Sequence, residues 1–171
     1  AALVLPDGTL FGEGIKTRIK EQLLDTCNLH TVVRLPNGVF NPYTGIKTNL
    51  LFFTKGTPTQ DVWFYEHPYP PGVKNYSKTR PMRLEEFAAE KAWWGGVDRS
   101  SRVENEFAWM VSAAEIKVRN YNLDIKNPHS PDAVAHNPEE LLAEYTELQA
   151  KIGETRSQLR AVLANALENG K

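Results

Sequence analysis

The sequence predicts an α/β fold in which the last strands of a sheet are followed by a mixed α/β extension and then by a long C-terminal helix of coiled-coil type. Three observations predict it. Apolar β-forming runs flank a segment of helical period before Tyr65, turn residues punctuate each boundary, and the end of the chain repeats apolar positions at spacings of four and three. The 171 residues, 41% hydrophobic and 24% charged, suit one domain or a domain with an appendage and exclude wholesale disorder, a collagen-like repeat and a membrane protein. Twenty Lys and Arg stand against 21 Asp and Glu, so no global positive field announces nucleic acid and any such contact is local. Cys27 is the only cysteine, which excludes an internal disulfide and a cysteine-rich zinc site and fits a reducing, cytoplasmic compartment.

Ala1 to Pro6 has no basic leader and reads as the second half of a buried strand entering the Pro6-Asp7-Gly8 turn, so the chain is expected to begin inside a larger fold. Ile15, Ile19, Leu23 and Cys27 recur every fourth residue among charges, the pattern of an amphipathic helix that Asn28 can end. Leu29 to Leu35 carries β-formers and stops at Pro36-Asn37-Gly38. Strand, helix, strand is the unit of right-handed parallel sheets. A loop over 39–45 leads to a second apolar run, 49–54, and Val62 to Tyr65 follows after a short connection, a spacing that predicts antiparallel pairing of the two. His67 to Gly72 is proline-rich and reads as a surface excursion.

Leu84 to Trp93 has helical spacing in Leu84, Phe87 and Ala88 and is stopped by Gly95-Gly96. Ser112 and Glu115 form a capping-box pattern ahead of a short helix to about Asn120. Residues 127–137 read as a linker. Asn137, Pro138 and the Glu139-Glu140 pair are three successive helix-start signals. Beyond them Leu141, Tyr145, Leu148, Ile152, Thr155, Leu159, Val162 and Ala166 form a heptad seam that calls for a partner helix.

The chemistry visible in the residues is sparse. Asn41-Pro42-Tyr43 compares with the Asn-Pro-Pro-aromatic motif of amino-methylating enzymes but lacks one proline, and an ordinary loop is the better reading. Phe11-Gly12-Glu13-Gly14 lacks the third glycine of a cofactor loop. His30, His67, His129 and His136 share no metal-ligand spacing, and Ser100, Ser101, Ser112 and Cys27 sit in no nucleophile context. Lys74, Lys78, Arg80 and Arg83, interleaved with Tyr76 and free of acids, are candidates for phosphate contact, with a solvated surface as the plain alternative.

Leu5-Pro6-Asp7-Gly8-Thr9-Leu10-Phe11, the helix that follows, Leu29-His30-Thr31-Val32-Val33-Arg34-Leu35-Pro36-Asn37-Gly38-Val39-Phe40, Thr44-Gly45-Ile46-Lys47-Thr48-Asn49-Leu50-Leu51-Phe52-Phe53 and Tyr121-Asn122-Leu123-Asp124 resemble, in order, the modification subunit of type I restriction-modification systems, an adenine-N6 DNA methyltransferase family. The resemblance covers nearly the whole chain. It implies a Rossmann-like methyltransferase sheet whose final strands lie here, over 1–73, then a mixed extension over 74–126, the linker 127–137 and an assembly helix over 138–169. It implies S-adenosylmethionine as cofactor of the intact subunit, held upstream of this chain, with no catalytic, cofactor or metal residue expected within it. The partners it implies are double-stranded DNA and the DNA-specificity and restriction subunits, with no membrane. Phe40, Tyr43, Thr44, Lys47 and Asn49 become candidates for contact with the flipped target base. The isolated chain is expected to be inactive. The alternative, carried by the heptad seam, is a non-enzymatic assembly module.

Overall fold

The computed structural model describes residues 1–130 and 138–169, and the chain divides into two compact units, Ala1–Ser130 and Pro131–Lys171. The first unit holds β1 (Ala2–Pro6), α1 (Ile15–Thr26), β2 (Cys27–Arg34), β3 (Thr48–Lys55), β4 (Asp61–Glu66), α2 (Ala88–Trp93), β5 (Ala108–Ser112) and α3 (Ala113–Val118). The second holds α4 (Pro138–Asn169). Among the described residues no helix is long and apolar enough to cross a membrane.

The five strands form one mixed sheet in the order β1-β3-β2-β4-β5. β3 runs antiparallel to both β1 and β2, so the two strands joined by α1 point the same way with β3 inserted between them. β4 is parallel to β2, and β5 closes the far edge antiparallel to β4. Two apolar layers bury the sheet. Val32, Leu51, Val62, Phe64 and Trp109 pack with Leu10, Leu24 and Ile116 in one, and Val33, Leu35, Tyr65, Trp93 and Ala108 form the other. β2 therefore has buried apolar residues on consecutive positions, the pattern of a strand covered on both sides. Phe64 and Trp109 stack with centroids 5.5 Å apart, adding about 1 kcal/mol beyond their burial.

Three expectations are corrected. The apolar seam of α1 faces its own sheet only in its second half: Leu23 packs against the core and Cys27 is buried, whereas Ile15 and Ile19 are 76% and 60% exposed and the buried positions of the helix are Leu24 and Lys20. Lys20 can be buried because its ammonium donates to Leu10 O at 2.7 Å and Gly12 O at 3.0 Å, and its stem supplies apolar packing. The helix ends at Thr26, and Cys27 takes up extended geometry as the first residue of β2. β4 does not pair with β3. Thr59 in the connection accepts from Leu29 N (2.9 Å), donates to Cys27 O (2.7 Å) and binds Leu24 O through its own amide (2.8 Å), so the chain crosses the start of β2 and β4 forms on its other side. Finally, the proline-rich excursion begins inside the core, because His67 is buried against Glu90 of α2 and bonded to it.

The segment with helical spacing from Leu84 is split into a 3-10 turn (Leu84–Phe87) and α2, which stops before Gly95 and Gly96 at φ +80° and +77°. α3 is capped as expected, Ser112 Oγ accepting from Glu115 N at 3.2 Å. In the second unit Tyr145, Leu148, Ile152 and Leu159 of the seam are exposed. The side chains of Leu141 and Val162, and the linker positions 131–137, lie outside the described residues.

Candidate functional site

β1 and β2 run parallel, so their carboxyl ends come to the same rim of the sheet, where α/β proteins place their ligands. Arg34, the last residue of β2, is the centre of that rim. Its guanidinium donates to Asp124 Oδ1 at 2.6 Å and Ile125 O at 2.8 Å, and Asp7 Oδ1 lies 3.5 Å away. Asn49, at the start of β3, donates its amide to the same Asp7 oxygen at 3.0 Å. Asp7 N in turn binds Lys47 O at 2.9 Å. One arginine thus ties together the turn after β1, the end of β2 and the segment after α3. The two carboxylates share one guanidinium, with the Asn49 amide supplementing Asp7, and the cluster fixes the geometry of the rim.

The loop between β2 and β3 rises from this rim. Its base is fastened at both ends: Tyr69 Oη donates to Asn37 O at 3.0 Å, Asn41 Nδ2 donates to Tyr76 O at 2.9 Å, and the other end meets Asp7 through Lys47. Gly38, buried and at φ +81°, lies where the two loops cross, so closely that a Cβ there would meet Tyr76 O at 2.7 Å. The result is a polar hollow of about 380 Å³ lined by Asn37, Gly38, Asn41, Gly45, Tyr69, Lys74 and Asn75. Tyr76, whose carbonyl receives the Asn41 strap, is buried next to these residues in sequence, and burial together with the bond to Glu86 holds its phenol well above the usual tyrosine range.

The structure gathers part of the residue set chosen from sequence. Tyr43 is 93% exposed at the loop tip, and Phe40 and Lys47 are exposed on the same loop. Thr44 is half-buried, its hydroxyl accepting from Ile46 N at 3.1 Å. Asn49 is buried and committed to Asp7, so it orients the rim from within. Lys74 joins the hollow, while Lys78, Arg80 and Arg83 are exposed along the following segment. None of these four cations is ion-paired among the described residues. Asp7, Arg34, Tyr69, Asn75 and Asp124 were missed from sequence. The available signal is a charged residue closing an apolar strand, and nothing in the Tyr121-Asn122-Leu123-Asp124 segment names Arg34 as its partner.

Asn41 is a loop strap with its amide turned to Tyr76 O. Among the described residues no group of three or more His, Cys, Asp or Glu could hold a metal ion.

A family model described as N-6 DNA Methylase matches residues 1–137. The chain is 65% identical over 173 residues to the type I restriction enzyme EcoEI methylase subunit of Escherichia coli, covering all of this chain and 35% of that protein. It is 36% identical over 127 residues to the EcoKI methylase subunit of Escherichia coli (strain K12), covering 69% of this chain and 23% of that protein. A solved chain from work on complex assembly and conformational transition of the type I R-M system matches with a TM-score of 0.71 and 37% identity, over 96% of this chain and 35% of its own length. The EcoKI M protein matches with a TM-score of 0.61 and 28% identity, over 95% of this chain and 40% of its own. The chain therefore spans 35% or less of the length of these curated relatives.

Proposed function

The chain belongs to the N-6 DNA methylase family, and we propose that it is the C-terminal part of the modification subunit of a type I restriction-modification system, working within a site-specific adenine-N6 DNA methyltransferase. The observation that carries this reading is the rim itself: an exposed aromatic loop, braced from below by Arg34 and Asp7, beside a hollow that carries Lys74. The amino nitrogen of adenine is paired inside the duplex, so the base must leave the stack before it can react. Phe40 and Tyr43 offer faces on which an extruded base or its neighbour stacks, Thr44 offers a hydroxyl, and Lys47, Lys74, Lys78, Arg80 and Arg83 offer cations to the backbone that runs past. Asn49 holds Asp7 and through it the loop base.

S-adenosylmethionine supplies the methyl group in this reading, and the residues described here do not fit it. The glycine turn ahead of α1 is occupied by the chain's own lysines: Lys16 donates to Gly8 O at 3.1 Å and Lys20 to Leu10 O and Gly12 O. A turn whose carbonyls point at cations offers no cradle of free amides. The cofactor site is assigned to the part of the subunit outside this chain, as is the catalytic motif. What this chain contributes is the final strands of a Rossmann-like sheet (1–73), the mixed extension (74–126) and, after the linker 127–137, an assembly helix (138–169). The seam of that helix, Leu141, Tyr145, Leu148, Ile152, Leu159 and Val162, is the proposed dock for the DNA-specificity subunit, with the restriction subunit joining the same complex. The compartment is the cytoplasm, where the DNA substrate lies.

The test is methylation of adenine in duplex DNA by the intact complex. Tyr43→Ala is expected to lower the rate about 10-fold to 100-fold, the worth of one base–aromatic stack, with S-adenosylmethionine affinity unchanged. An unaltered rate removes the loop from the target-base pocket. Ile152→Asp with Leu159→Asp is expected to abolish assembly with the specificity subunit and methylation together, and intact assembly with that double change removes the docking role.

A further inference from the structure

The opposite rim of the sheet holds a second site that the methylase reading does not use. The amino ends of β2 and β4 and the loop after α2 enclose a cleft of about 410 Å³, lined by Asn28, His30, Gln60, Trp63, Arg99 and Arg102 together with Asp61 and Asp98. Arg102 is only 7% exposed. Its guanidinium carbon lies 4.7 Å from the ring centroids of both Trp93 and Trp94, Nε donates to Trp94 O at 3.0 Å and Nη1 to His30 O at 3.1 Å. Nη2 has no partner and is closed off from water. Neither Arg102 nor Arg99 is ion-paired among the described residues. Asp98 is occupied by Ser100, through Ser100 Oγ at 2.9 Å.

A fixed, stacked guanidinium with one unpartnered donor and no carboxylate within ion-pairing distance among the described residues is an expensive thing to bury. An acceptor of opposite charge removes both costs at once, and a planar guanidinium held by two indoles is already organised for an oxyanion. We propose that this cleft binds an oxyanion, a phosphate or carboxylate group of a small ligand, on Arg102 and Arg99. The positive charge of the two arginines bears on their neighbour: burial first, then Arg99 and Arg102, lower the His30 imidazole to about 4. Arg102 itself, lowered by burial to about 10, keeps its charge at neutral pH. Asp61 and Asp98 at the lining limit the site to a ligand of low negative charge.

His30 is therefore the reporter. In the intact subunit its ring resonance, identified by its loss in His30→Gln, is followed against pH with inorganic phosphate or with acetate, each at on the order of 20 mM, enough to fill a millimolar site. Phosphate or acetate binding is expected to raise the His30 midpoint, since an anion offsets part of the push from Arg99 and Arg102 while the contribution of burial stays. A rise with phosphate alone assigns a phosphate ligand, and a rise with both assigns a carboxylate-tolerant site. Arg99→Gln is expected to weaken the anion about 10-fold while the protein stays folded, and Arg102→Lys, which keeps charge but loses the planar fork, to weaken it at least as much. A His30 midpoint that neither anion moves, or binding that survives Arg99→Gln unchanged, overturns the proposal.

Discussion

Replacing Gly38 by alanine tests whether the rim loop is held by its crossing with the 69–76 segment. The magnitude comes from two parts. At φ +81° an L side chain costs about 1 kcal/mol relative to glycine. The added Cβ would also lie 2.7 Å from Tyr76 O and 2.8 Å from Asn41 Nδ2, and would overlap Asn75 Oδ1. Asn75 is a side chain and can turn away, but Tyr76 O is backbone and accepts the Asn41 strap, so relief means moving one loop off the other at a further cost of about 1–3 kcal/mol. The sum is a loss of about 2–4 kcal/mol, read as a lowered urea midpoint by fluorescence of the four tryptophans, all in the described first unit. Gly14→Ala is the control. Gly14 has φ +67° with nothing within 4 Å of a Cβ, so only the backbone cost of about 1 kcal/mol remains. In the intact enzyme Gly38→Ala is further expected to depress methylation with cofactor affinity retained. Equal losses for Gly38→Ala and Gly14→Ala would refute the reasoning, because the crossing would then exert no steric hold.

Three further outcomes follow from the same structure. The His30 imidazole, lowered to about 4 in the fold against 6.5 as a free side chain, makes the unfolded chain bind the proton first as pH falls. Its stabilisation is complete above about pH 6.5 and is lost on the way down to about pH 4; for a half-exposed ring, discounted for solvent screening, that is about 1–2 kcal/mol, and His30→Gln is expected to flatten this part of the stability–pH curve. Arg34→Met leaves Asp7 and Asp124 facing each other without a cation and is expected to cost about 2–3 kcal/mol by urea unfolding; a loss under about 0.5 kcal/mol would mean the cluster is solvated enough to be dispensable. Lys74→Ala with Lys78→Ala is expected to lower the salt dependence of DNA binding by the intact enzyme by about two counterions, with an unchanged slope placing the DNA elsewhere.

Strand and helix positions were largely legible because β2 and β3 are continuous apolar runs bounded by turn residues, α1 follows the helical period, and the Ser112 cap announces α3. What the periods could not supply was partnership. A short connection between two apolar runs suggests a hairpin, and only the three hydrogen bonds of Thr59, a residue with no distinctive signal, send β4 to the far side of β2. β5, Ala-Trp-Met-Val-Ser, is short and follows a charged stretch, so it carries little strand signal of its own; its place in the sheet is decided by Trp109 against Phe64. The rim shows the same division. The loop carrying Phe40, Tyr43 and Lys47 was found through its resemblance to a family, whereas Arg34 and Asp124 meet across 90 residues of sequence, a separation that no local pattern encodes. Buried charges were the least readable class of all. Lys20, Glu90 and Arg102 each score as surface residues, and each is buried by specific carbonyl, histidine or indole partners.

The exposed seam of α1 has the same kind of cause, seen from outside. One helix carries two faces: Leu23 and Leu24 pack on the core and Lys20 bonds the turn before the helix, while Ile15 and Ile19, four residues apart, are mostly exposed. Phe11 at the turn before the helix is exposed as well, and so are Leu3 and Val4, whose alternation places them on opposite faces of β1. β1 pairs with β3 on one side only, so its second row of backbone donors and acceptors is bare among the described residues. An open ladder edge flanked above and below by apolar side chains is a surface that solvated proteins ordinarily pair, charge or cover. Here it carries no charge and no bulge in its register with β3. The period in the sequence is therefore real over the second half of the helix, where Leu23 and Leu24 pack, and its first half, Ile15 and Ile19, continues the same open apolar surface as Phe11 and the bare edge of β1 among the described residues.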